Sequence, residues 1–178
     1  MNRSQLEHII RAAAGNADTT DLVIIGSQAV LGTYPDAPAE LLGSMEADVF
    51  PRDRPEDSIL IDGGIGERSV FHETFGHYAH GVAEDTATLP PGWRARLVPL
   101  RNDNTRGATG WCLEVHDLAV SKLVAGREKD LAFIAALFRH GLAQPELVRE
   151  RLAQTSLPES ARTMPADRLR RLAVGGGK

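Results

Sequence analysis

Glu46 and Asp48 stand two residues apart in the segment Ser44-Met-Glu-Ala-Asp-Val-Phe50. Ala47 and Val49 alternate with the two acids, and Pro51 follows, so the segment reads as a strand. Residues i and i+2 of a strand point to the same face, so the two carboxylates converge. Like charges that close are costly unless something cationic lies between them. Hard oxygen donors in a cleft suit Mg²⁺ or Mn²⁺, Mg²⁺ keeping waters and taking its remaining ligands from substrate phosphates. The plain alternative is a solvated strand face. Met45, Ala47, Val49 and Phe50 weigh against it, because they make the segment look covered.

A second group of residues lies upstream. The apolar run Asp21-Leu-Val-Ile-Ile25 ends at Gly26-Ser27. A short run of that kind suits a strand covered on both faces. Gly26 allows close backbone approach, a helix starting at Ser27 offers N–H groups to an anion, and the Ser27 hydroxyl adds a donor. A phosphate cradle beside a metal platform is the equipment of phosphoryl or nucleotidyl transfer.

Other elements must hold these two groups in place. Ser4 to Ala14 reads as a helix capped by Ser4, with Glu7 completing a capping box. Ser27 to Leu31 starts a short helix, Gly32 to Pro38 is loop, and Ala39 to Leu42 makes one turn. Ser58 to Ile61 suits a helix over the sheet, and Ser69 to Tyr78 fits helix or loop. Gly81 to Thr88, Ala95 to Leu100 and Gly110 to Val115 read as further strands. From Asp117 the period changes. Asp117 can cap a helix carrying Leu118, Val120, Leu123 and Val124, and Gly126 interrupts it. Asp130 can cap the next helix, which Gly141 ends. Pro145 opens another through Ala153, and Ala166 to Val174 reads as the last. The expected fold is α/β (α+β): a mixed sheet of about four or five strands flanked by helices. Residues 1–141 form its core, 142–174 a C-terminal helical appendage and 175–178 a frayed tail.

Three segments together resemble a known family: Gly26-Ser27-Gln28-Ala29, Glu46-Ala-Asp48-Val49, and Asp117 through Lys122, Arg127 and Lys129 to Asp130. They look like the motifs of the nucleotidyltransferase-like superfamily, in its small DUF6036-type and AbiEii/MenT-type bacterial branch. The resemblance implies a minimal nucleotidyltransferase fold that transfers a nucleotide from an NTP to an RNA or protein acceptor, in a toxin–antitoxin or defence pair with a cognate partner. It implies that Gly26 and Ser27 hold the triphosphate and that Glu46 and Asp48 bind Mg²⁺. Lys122 then contacts nucleotide phosphate, Asp130 orients or deprotonates the acceptor, and Arg127 and Lys129 add phosphate contacts or brace the site. Lys122 and Lys129, seven apart, are expected on one helical face. The family's usual first carboxylate is Asp, whereas this chain has Glu46, one methylene longer. Glu114 is a candidate third carboxylate. The alternative is a degenerate nucleotide-binding or partner-binding module.

Composition bounds the rest. The chain has 178 residues, 20 basic and 24 acidic, with a net charge of −4, which argues against a generic DNA-coating role. Its single cysteine, Cys112, lies among apolar residues and reads as a buried thiol. No signal-like start and no apolar run near about 18 residues points to a membrane, so a cytoplasmic place is expected. His72, His77 and His80 invite a metal-hydrolase reading, but the first pair is five apart, a poor spacing for one helical face. Hydrogen-bonded histidines near the cleft are the simpler expectation, with Phe71, Phe75 or Tyr78 available to stack on a base. Gly63-Gly64-Ile65-Gly66 lacks a P-loop Lys-Ser/Thr and reads as a flexible loop. Arg162, Arg168, Arg170, Arg171 and Lys178 make a locally basic, solvated tail.

Overall fold

The computed structural model describes residues 1–175. The chain forms two compact units, Met1–Thr86 with Leu97–Glu114, and Ala87–Arg96 with the chain from Val115 onward.

The first unit opens with α1 (Arg3–Asn16). Asn2 caps it rather than Ser4: the Asn2 side chain accepts from Gln5 N–H, and the Gln5 side chain accepts from Asn2 N–H in return. The capping box is therefore two residues earlier than Ser4 and Glu7 suggested. Glu7 is instead buried, accepting from Arg3, Asn102 and Asn104. Strand β1 (Asp21–Ile24) buries Leu22, Val23 and Ile24 completely. A 3-10 turn, Ser27–Ala29, leads into the single-turn α2 (Val30–Thr33). Strand β2 spans Glu46–Pro51. Helices α3 (Ser58–Ile65) and α4 (Val70–Phe75) follow, then β3 (Tyr78–Gly81), β4 (Val98–Leu100) and β5 (Thr109–Cys112).

The five strands make one mixed sheet in the order β3-β2-β1-β5-β4. β1 runs antiparallel to β2 and parallel to β5, while β2 and β3 are parallel. Burial on both faces is what the unbroken apolar run of β1 requires of a central strand. Three sequence expectations change here. The strand placed at Gly81–Thr88 lies at Tyr78–Gly81, because left-handed Gly76 (φ 70°) ends α4 and returns the chain alongside β2. Gly63 and Gly64 are helical, not loop. A Cβ on Gly64 would lie 1.9 Å from the Asn16 side-chain oxygen, so a larger residue there would require that side chain to move. Met45 is 55% exposed rather than covered.

The second unit contains α5 (Val115–Ala125), α6 (Glu128–Arg139), α7 (Pro145–Gln154) and α8 (Thr163–Gly175). Pro145 sits in the first turn of α7, as its fixed φ favours. Asp117 and Asp130 do not cap. Each lies inside a first turn, fully buried, and its carboxylate accepts from cations. Asp117 accepts from Arg96 at 2.8 Å and Arg151 at 2.9 Å. Gly126 (φ 64°) separates α5 from α6, so Lys122 and Lys129 lie on different helices and not on one face. In α8, Arg168 donates to the Leu123 and Val124 carbonyls at the end of α5. Its guanidinium occupies the space a side chain on Gly126 would need. Arg168 is therefore a helix cap and not part of a solvated face. Of the expected tail, Gly175 closes α8, and 176–178, with Lys178, lie outside the described residues.

Candidate active site

The register of the first unit builds the site. Across the parallel pair, Glu46 lies beside Tyr78 and Asp48 beside His80. With a side-chain period of two, these four residues share one sheet face. The intervening positions, Ala47, Val49 and Ala79, point the other way and are fully buried. There α3 passes so close that a Cβ on Gly81 would lie 2.0 Å from Ser58 O. Burial of one face thus fixes which residues appear on the other.

Asp48 reaches back toward the end of β1. Its carbonyl accepts from Ile25 N–H at 3.1 Å. A Cβ on Gly26 would lie 2.1 Å from Asp48 Oδ2, so the carboxylate occupies the space that glycine leaves. The expected neighbourhood of Gly26 and Asp48 is realised. Burial, then the hydrogen bonding and charge of Glu46, push the Asp48 carboxyl up to about 6, with His80 offsetting part of the rise. Tyr78 donates its hydroxyl to Glu46 Oε2 at 2.9 Å. Burial and that contact with Glu46 raise the phenol to about 12, so it remains a donor.

His80 Nδ1 lies 3.4 Å from Asp48 Oδ1 and 3.6 Å from Glu46 Oε1. Among the described residues, Glu46, Asp48 and His80 are the group whose ligand atoms all lie within 4.8 Å of one another. The third member is a histidine, not Glu114. The three clustered histidines separate: His72 Nδ1 accepts from Arg68 N–H, while His77 is buried and bonded to the Phe75 carbonyl and to His8. His8, Phe71, Phe75 and His77 pack as a ring cluster. That pairing removes the three-histidine hydrolase. The strand register could have flagged His80 in the sequence only if β3 had been placed correctly.

Divalent-ion chemistry fits the site. Two carboxylates and an imidazole are ligands for such an ion, and a cation would offset both the burial and the Glu46 charge that raise the Asp48 carboxyl. Beside it, Ser27 opens a turn too short to carry a substantial helix dipole, which leaves local N–H and hydroxyl groups as the donors it offers. Gln28 is wholly buried, and neither of its amide atoms has a hydrogen-bond partner among the described residues. Cys112 is buried, and burial pushes its thiol up to about 12, which excludes it as a nucleophile.

In the second unit, Lys122 is buried, with Nζ 3.0 Å from Asp130 Oδ1 and 4.7 Å from the Phe133 ring centre. Arg127 Nε donates to Asp130 Oδ2 at 2.6 Å. Burial alone would raise the Asp130 carboxyl, but hydrogen bonds from Arg127 and Lys122 outweigh it and hold the group below its usual range. A carboxylate so held positions its cations. Lys129 is exposed on α6.

A mixed sheet carrying an acid-x-acid pair beside a glycine-ended strand defines a nucleotidyltransferase-like protein. The chain belongs to the DUF6036 family, described as a nucleotidyltransferase of unknown function, which it matches over residues 4–169. No curated protein and no solved structure matches it significantly. No helix among the described residues is long and apolar enough to cross a membrane.

Proposed function

We propose that the chain is a divalent-metal-dependent nucleotidyltransferase that moves a nucleoside monophosphate from an NTP to a hydroxyl of an RNA or protein acceptor. The observation that carries this reading is the Asp48 carboxylate lodged against Gly26 with Glu46 on the same sheet face. Glu46 and Asp48 hold Mg²⁺ or Mn²⁺, which when bound supplies positive charge at the transferring phosphate. The acceptor hydroxyl oxygen bonds to the α-phosphorus as the bond to the β-phosphate oxygen breaks; its proton goes to Asp130 or to solvent, and pyrophosphate leaves. Gly26 and Ser27 hold the triphosphate. The family resemblance assigns phosphate contacts to Lys122, Arg127 and Lys129, and to Asp130 the part of orienting or deprotonating the acceptor; Lys122 and Arg127 both donate to the Asp130 carboxylate. It also assigns the chain to a toxin–antitoxin or defence pair with a cognate partner; a cytoplasmic place is the expectation from the sequence.

Labelled NTPs incubated with the protein, Mg²⁺ or Mn²⁺ and a tRNA pool test the reading. Label appears on tRNA, or on protein, and Asp48→Ala abolishes transfer by at least about a hundredfold. The second reading, a nucleotide-binding module without transfer, draws on Glu46 standing where the family has Asp. Nucleotide binding with no label on any acceptor would select it.

A further inference from the structure

We infer that His80 is a third protein ligand of the metal held by Glu46 and Asp48, and that its nitrogen shifts the site away from Mg²⁺ toward transition ions such as Mn²⁺. The inference rests on the metal site of the proposed function and specifies it further.

Three observations carry it. First, the register sets His80 directly beside Asp48 on the shared face, so its ring meets the carboxylates through the strand pairing. Second, adjacent ligands of an octahedral ion with bonds of about 2.1 Å stand about 3 Å apart. His80 Nδ1 is 3.4 Å from Asp48 Oδ1 and 3.6 Å from Glu46 Oε1, within a small adjustment of that spacing. Third, Tyr78 engages Glu46 Oε2, while Oε1 is the oxygen nearest His80. That hydrogen bond orients the longer glutamate arm as an outer-shell partner orients a ligand. Oxygen-only sites suit Mg²⁺, whereas imidazole suits transition ions, so one nitrogen among the donors changes ion preference. The competing account of the same geometry is an imidazolium ion-paired with two carboxylates and no part in metal binding.

Pulsed EPR of the Mn²⁺-loaded full chain separates the two. The wild-type protein is expected to show the nitrogen modulation of a coordinated imidazole. In His80→Ala that modulation disappears and Mn²⁺ binding, measured by calorimetry, weakens at least about tenfold. Mg²⁺ binding weakens less. His80→Asp restores metal binding without nitrogen modulation and turns the preference toward Mg²⁺. His80 is 51% exposed, so these variants are expected to fold, and circular dichroism checks it. Mn²⁺ bound in an Asp48-dependent way with no nitrogen modulation would overturn the role of His80 and leave the proposed function standing. Mn²⁺ bound by neither the wild type nor His80→Asp would overturn both.

Discussion

Asp48 is held in a place that ionisation disfavours. It is packed against Gly26, partly desolvated, and faces Glu46 across one strand step. Its folded carboxyl titrates near 6, against an ordinary value of 3.8. The sign follows from proton binding: between those two values the folded chain binds more protons than the unfolded one. The contribution of Asp48 to the stability of the metal-free protein is therefore greatest below that window and is lost as pH rises through it. A divalent ion competes with the same proton. Mn²⁺ affinity measured by calorimetry is expected to rise steeply from pH 5 to 7 and then level off. A flat profile would contradict the raised carboxyl. Glu46 is somewhat more exposed, 38% of its side chain against 29% for Asp48, and accepts from the Tyr78 hydroxyl.

The pairing of β2 with β3 is the element that converts two adjacent acids into a four-residue platform. A slip of one residue would bring Ala79 and Gly81 to the acidic face and bury Tyr78 and His80 against α3. Gly81 prevents that slip, because only a residue without Cβ fits beneath Ser58 O. The helices of the second unit are held by a different device. Arg168 places a guanidinium on the last carbonyls of α5, where left-handed Gly126 leaves room. A charged cap of this kind satisfies acceptors that the helix end leaves unpaired. Arg168→Ala is expected to lower stability by about 1–3 kcal/mol in urea unfolding. A change within experimental error would show that solvent serves those carbonyls as well.

For the molecule as a whole, ligand binding and stability are linked. An ion that binds only the folded chain stabilises it by RT ln(1 + [L]/Kd), about 2.7 kcal/mol at a hundredfold excess over Kd. Calorimetric melting with Mn²⁺ in that excess should raise Tm by several degrees, by about 2–4 °C per kcal/mol for a chain of this size. Asp48→Ala should erase the shift. If that variant keeps the full shift, the ion binds elsewhere.

Much of this was legible in the chain. The i, i+2 spacing of Glu46 and Asp48, the apolar run before Gly26, Pro145 at a helix start and the buried Cys112 follow from local geometry and burial, which neighbouring residues suffice to specify. The contributions of Tyr78 and His80 were not legible, since they depend on a strand pairing across some thirty positions that no local pattern encodes. Asp117 and Asp130 misled for a related reason. Asp at a helix start ordinarily caps, yet each side chain found guanidinium or ammonium partners, and for Asp117 those came from Arg96 and Arg151, distant in the chain. Charged partners outcompete a neighbouring N–H for a buried carboxylate. Local chemistry set the two acids on one face; long-range pairing supplied the groups that surround them.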